Sequence, residues 1–132
     1  MDAQSLTGGP KKDVVVTYWT LEGDDRSGYR HGVLEVWSFG ETGPRVRFAI
    51  ELSAWARCCG SEANAPPHES VSFRAHDGVI EMSRDRRWRI DPARWRPTTP
   101  PGVLPRMPVE VKRRVYRWDG REFRVETEER AA

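Results

Sequence analysis

The sequence predicts an all-β protein: a small antiparallel sandwich or open barrel of about seven to nine strands. Three observations carry that expectation. Two Asp-Gly pairs, Asp77-Gly78 and Asp119-Gly120, each sit between strand-like runs. Residues 45–52, RVRFAIEL, alternate apolar and polar. Residues 14–21, VVVTYWTL, are β-branched and aromatic with no helix former until Leu21. The chain has 132 residues, the size of one domain. Its boundaries are expected at 13–127, with disordered tails at 1–12 and 128–132.

Taken in order, residues 1–12 contain Gly8, Gly9, Pro10 and two lysines but little apolar material. VVVTYWTL follows and reads as a strand, buried on both faces in its first half. EGDDRSGYRHG (22–32) is dense in Gly and Asp and reads as a loop. VLEVWSF (33–39) is a second strand, and GETGP a turn. In 45–52 the period of two puts Val46, Phe48, Ile50 and Leu52 on one face. Helix is the competing reading there, because AIELSAWAR is rich in helix formers. Residues 56–69, with Cys58, Cys59, Gly60 and Pro66-Pro67, form the longest irregular loop.

VSFRAHDGVIEMS (71–83) carries the first hairpin. A two-residue type I′ turn needs φ > 0 at both central residues, and Asp-Gly supplies them. That turn pairs His76 with Val79, Ala75 with Ile80, Arg74 with Glu81 and Phe73 with Met82. Residues 84–108 interleave Arg with Trp and then Pro, which fits an edge segment or extended connector. VEVKRRVYRWDGREFRVET (109–127) carries the second hairpin. A type I′ turn at Asp119-Gly120 pairs Trp118 with Arg121, Arg117 with Glu122, Tyr116 with Phe123 and Arg113 with Glu126. Trp118 beside Arg121 is also placed for a cation–π contact. YRWDGREF (116–123) resembles the Tyr-x-Trp-Asp-Gly-x-x-Phe hairpin that closes many bacterial envelope and secreted β domains. The resemblance spans eight residues. It implies a sheet ending in an Asp-Gly hairpin, brings no activity with it and points toward the cell envelope.

The apolar fraction is 37%, and six Trp, four Phe and three Tyr supply the bulk of a core. No run of about 18 apolar residues offers a membrane span. No apolar leader is visible behind Met1, so the cytoplasm is the default expectation, with the periplasm or envelope as the alternative for a trimmed chain. Net charge is +2 overall. Residues 1–83 hold 8 basic and 12 acidic side chains, net −4, and residues 84–132 hold 14 and 8, net +6. An Arg bias, 19 against 3 Lys, accounts for much of that asymmetry.

Cys58 and Cys59 are adjacent, unlike the spaced cysteines of a disulfide framework. They, His68 and His76 are the ligand types zinc takes, but paired zinc cysteines are normally two to four residues apart. No metal or other cofactor is expected. GxSxG, HExxH and P-loop patterns do not occur. The segment with the most chemistry is 84–96, where Arg84, Arg86, Arg87, Arg89, Arg94 and Arg96 surround Trp88 and Trp95. Trp and Arg are the side chains that dominate binding surfaces, and basic aromatic grooves bind single strands. Asp85 and Asp91 interrupt the run. The candidate binding residues are Trp88, Arg89, Trp95, Arg96, Trp118 and Arg121. The expected function is a non-catalytic binding or interaction module whose partner is a protein or an envelope component. The competing readings are a single-stranded nucleic-acid-binding β barrel using 84–96 and, last, a small hydrolase.

Overall fold

A computed structural model describes residues 2–23, 28–57, 69–84, 104–108 and 110–130. The protein is all-β, with eight strands: β1 (Asp2–Gln4), β2 (Asp13–Gly23), β3 (Gly28–Gly40), β4 (Gly43–Arg57), β5 (Glu69–His76), β6 (Val79–Arg84), β7 (Val111–Trp118) and β8 (Phe123–Arg130). Each pairs antiparallel with its sequence neighbours, in the order β1-β2-β3-β4-β5-β6-β7-β8. The meander divides into two antiparallel sheets, β1 to β5 and β5 to β8, and does not close into a barrel. Their faces meet where Phe48 on β4 packs edge-on against Tyr116 of β7 and Phe123 of β8, at centroid distances of 4.9 and 5.6 Å.

The core lies between these faces. Leu34, Val36, Ile80, Met82 and Val111 are sealed from solvent, joined by Leu6, Val15, Ile50, Val71, Met107 and Tyr116. Each fully buried aliphatic side chain of this size is worth about 1.5–3 kcal/mol relative to exposure. Residues 45–52 are a strand, not a helix, and sit within β4. Ile50 is buried, and Phe48, Leu52 and Phe73 pack against the core. Val46 departs from the expected pattern and is 45% exposed. The reason is a bulge. Val36 pairs with Phe48 but Trp37 pairs with Val46, so Arg47 is the extra residue. A bulge re-aims the side chains beside it, and here it carries Val46 out of the core face.

The Asp77-Gly78 hairpin forms in the expected register, His76↔Val79 through Phe73↔Met82. Asp77 at φ 48° and Gly78 at φ 76° supply the two positive angles a type I′ turn needs. The second hairpin corrects its expected register. Trp118 pairs with Phe123, Arg117 with Arg124 and Tyr116 with Val125, so the loop is four residues, 119–122. Only Gly120 has positive φ there. The Asp119 carboxylate accepts the N–H groups of Arg121 and Glu122, both at 2.8 Å. The Asp119 N–H donates to the Glu122 carbonyl at 3.0 Å. This side chain caps a longer loop, and the Trp118 and Phe123 rings, 5.1 Å apart, close it. Arg117 therefore meets Glu126 instead of Glu122, and Arg113 meets Glu81 instead of Glu126.

Three connections also differ from expectation. Residues 22 and 23 and 28–32, read as loop, are paired strand, ending at Gly23↔Gly28. The N-terminal segment is not a loose tail: β1 pairs with Asp13, Val14 and Val15, and Leu6 is buried in the core. Buried Asp13 fastens it, accepting the N–H of Leu6 at 2.8 Å and of Thr7 at 2.7 Å on one oxygen and the Thr7 hydroxyl at 2.8 Å on the other. At the other end β8 runs to Arg130, beyond the expected boundary at 127. Residues 104–108 run extended beside β4: the Glu51 N–H donates to the Pro105 carbonyl at 2.9 Å, and Met107 is buried. The guanidinium of Arg84 donates to the carbonyls of Val111, Met107 and Pro108, tying this segment to β7.

Candidate functional site

Trp88, Arg89, Trp95 and Arg96, and with them Cys58, Cys59 and His68, lie outside the described residues. Trp118 and Arg121 are described, and the fold separates their roles. Trp118 is half-buried beside Phe123, and the guanidinium that reaches its ring is that of Arg47, 5.8 Å from the centroid. The expected Trp118–Arg121 pairing depended on the two-residue turn. In the four-residue loop Arg121 is exposed and its N–H is held by Asp119. Trp118 thus belongs to the aromatic cluster with Phe48, Tyr116 and Phe123 that joins the two sheets.

The outer face of β5, β6 and β7 carries ion pairs. Glu81 bonds His76 Nε2 at 2.9 Å through one oxygen and takes the Arg113 guanidinium on the other. The His76 imidazole is raised above its ordinary pKa, first by its bond to Glu81 and then by Asp77. Glu81 is lowered, chiefly by His76. Both carboxylates favour the protonated form of the imidazole, and Glu81 joins His76 to Arg113 across β5, β6 and β7. Among the described residues no group of three or more His, Cys, Asp or Glu is placed to hold a metal ion. Among them, too, no helix is long and apolar enough to cross a membrane.

The feature that sequence reasoning missed is the edge of β2. Its partner β1 covers only Asp13, Val14 and Val15. Among the described residues nothing pairs with β2 from Val16 to Gly23 on the side away from β3. The segment from Val14 to Leu21 carries no charged residue. Within it Trp19 is 52% exposed and Tyr18 37% exposed. The Tyr18 hydroxyl donates to Glu35 Oε1 at 2.6 Å, and Trp37 Nε1 donates to the other Glu35 oxygen at 2.7 Å. That anionic acceptor raises the Tyr18 pKa, helped by burial. It also fixes the phenol in place. The strand was legible in the sequence, with burial on both faces expected only in its first half, but its place at the edge of the sheet was not.

The opposite edge is built differently. β8 reads FRVETEER, with five of its eight residues charged. Arg114 engages Glu128 at 2.8 Å, Arg117 engages Glu126 at 2.7 Å, and Arg124 engages Asp119 at 2.6 Å. Charged edges of this kind block pairing with another strand. Among the described residues the molecule is thus a small all-β meander domain with one charged edge, β8, and one aromatic edge, β2, which carries no charge from Val14 to Leu21. Comparison with protein-family models, with curated proteins and with solved structures gives no match.

Proposed function

We propose that this protein is a non-catalytic interaction module whose partner is a protein strand, seated on the edge of β2 from Val16 to Gly23. The observation that carries the reading is the contrast between the two edges. A sheet edge presents a row of N–H and C=O groups that another chain can pair with, and folded proteins normally blunt it with charge, proline or brevity. β8 is blunted by charge. β2 has no charge from Val14 to Leu21 and presents Tyr18 and Trp19 to solvent. Strand addition of this kind draws affinity from main-chain hydrogen bonds and specificity from alternate side chains. Aromatic side chains supply the large contact area that dominates protein interfaces.

The test is site-specific photo-crosslinking in a native lysate. A benzophenone amino acid replaces exposed Thr17 in β2 in one variant and exposed Val125 in β8 in the other. A discrete protein adduct at position 17, absent at 125, is the expected result. Equal labelling at both positions, or none at 17, overturns the proposal.

A further inference from the structure

We propose that Asp77 is a modification site: it closes onto the Gly78 nitrogen and converts to isoaspartate in the folded protein, whereas the Asp119-Gly120 pair is protected. In this reaction the glycine nitrogen attacks the side-chain carbonyl carbon of the neutral aspartic acid. A C–N bond forms, the carboxyl C–O bond breaks, and one water leaves. The succinimide ring then takes a water back at its main-chain carbonyl, and the former side chain becomes part of the main chain. Water is the only co-reactant. Glycine favours closure at both pairs, because it puts no side chain beside the attacking nitrogen. The dipeptide therefore does not separate the two sites; their turns do.

A planar ring eclipses Cβ with the following nitrogen about the Cα–C bond. In an L residue that sets ψ at about −120°, the value at the first central residue of a type II′ turn. Asp77 and Gly78 form a type I′ turn, with φ of 48° and 76°. Rotating the one peptide between them turns type I′ into type II′. The φ of Asp77 stays positive, its ψ swings to about −120°, and the φ of Gly78 becomes negative, which glycine accepts. Both turns suit a two-residue hairpin, so the strands stay paired. The bonds that close the turn do not resist. The His76↔Val79 pair lies outside the rotating peptide, and the Gly78 carbonyl, which accepts the Trp118 N–H at 2.9 Å, belongs to the next one. The Asp77 side chain is 97% exposed, and its one polar contact among the described residues is His76 Nδ1, at 3.5 Å.

Asp119 is built the other way. Its loop has four residues, and only Gly120 in it has positive φ. One carboxylate oxygen accepts the N–H groups of Arg121 and Glu122 at 2.8 Å each, and the other takes the Arg124 guanidinium at 2.6 Å. Closure would have to break these bonds. The same backbone N–H groups, with Arg124, hold the Asp119 carboxyl below the usual carboxylate range, away from the neutral form that loses water. At Asp77 the product adds one carbon to the main chain of a turn whose two-residue length sets the β5–β6 register, so isomerisation is expected to disturb the pairing that starts at His76↔Val79.

Ageing the intact protein for several weeks at neutral pH and body temperature tests this. Trypsin then releases the two sites in separate peptides, 75–84 and 118–121. Isoaspartate is read by electron-transfer fragmentation and by labelling with an isoaspartate methyltransferase. It should build up in 75–84 about tenfold or more faster than in 118–121, the rate equivalent of one charge-assisted hydrogen bond. A form of 75–84 lacking one water should precede it. In guanidinium chloride, where both turns are lost, the two rates should converge. Equal rates in the folded protein, no isoaspartate in 75–84, or a contrast that persists unchanged in the denaturant overturns the proposal.

Discussion

Removing the Phe48 ring should show how firmly the two sheets are joined. Phe48 sits on β4, half-buried, with Tyr116 at 4.9 Å and 65° and Phe123 at 5.6 Å and 69°. Full burial of a phenylalanine side chain is worth about 1.5–3 kcal/mol, and partial burial here leaves about 1–2. Two edge-to-face ring pairs add about 0.5–1.5 kcal/mol each. Phe48→Ala should therefore cost about 2–5 kcal/mol, overlapping the range for large aromatic truncations. Urea denaturation followed by tryptophan fluorescence measures it, with an unchanged slope showing that only stability moved. Val46→Ala is the internal control. Its side chain is 45% exposed beyond the bulge, so the cost should stay within about 0.5 kcal/mol. A double-mutant cycle of Phe48→Ala with Phe123→Ala should give a coupling of about 0.5–1.5 kcal/mol. A Phe48→Ala cost under about 1 kcal/mol, or one equal to that of Val46→Ala, would refute the sheet-to-sheet packing.

Asp13→Ala removes the acceptor for two backbone N–H groups and the Thr7 hydroxyl, which should cost about 1–3 kcal/mol and expose the segment before Asp13 to limited proteolysis. A protease pattern identical to wild type would refute the fastening role. Arg84→Ala should cost about 2–3 kcal/mol, since three carbonyls lose a charged donor, and Arg84→Lys should recover only part of it because one ammonium cannot span them. The His76 ring should titrate above about 6.5 by NMR and fall toward that value in Glu81→Gln. Because the folded pKa is raised, the pair's stabilisation is present in full below the unfolded histidine value. It is lost as pH rises through the folded one. Glu81 itself is lowered, so its share persists down through the ordinary carboxylate range and is lost as pH falls through its folded value. A His76 midpoint unmoved by Glu81→Gln would sink this assignment.

What the sequence determined by itself is local. Asp77-Gly78 dictates two successive positive φ angles, which fixes a two-residue turn and, through strict alternation, the register from His76↔Val79 to Phe73↔Met82. The period of two in 45–52 identified a strand against strong helix formers, because half-burial of one face outweighs helix propensity. Asp119-Gly120 looked equivalent and was not. There the Asp119 carboxylate captures two N–H groups across a longer loop, and the fit of Trp118 to Phe123 decides between the two turns. Only the tertiary structure decided the rest. The bulge at Arg47 depends on how β3 and β4 coil together, so no alternation in one strand reveals that Val46 leaves the core. Leu6 enters the core because Asp13, seven residues away, is buried with its carboxylate aimed back at the chain. The candidate edge followed the same rule. VVVTYWTL specifies a strand from its residue types, but strand order is a property of the whole meander. Among the described residues β1 pairs only with Asp13, Val14 and Val15, so the rest of β2 has no strand partner on that side.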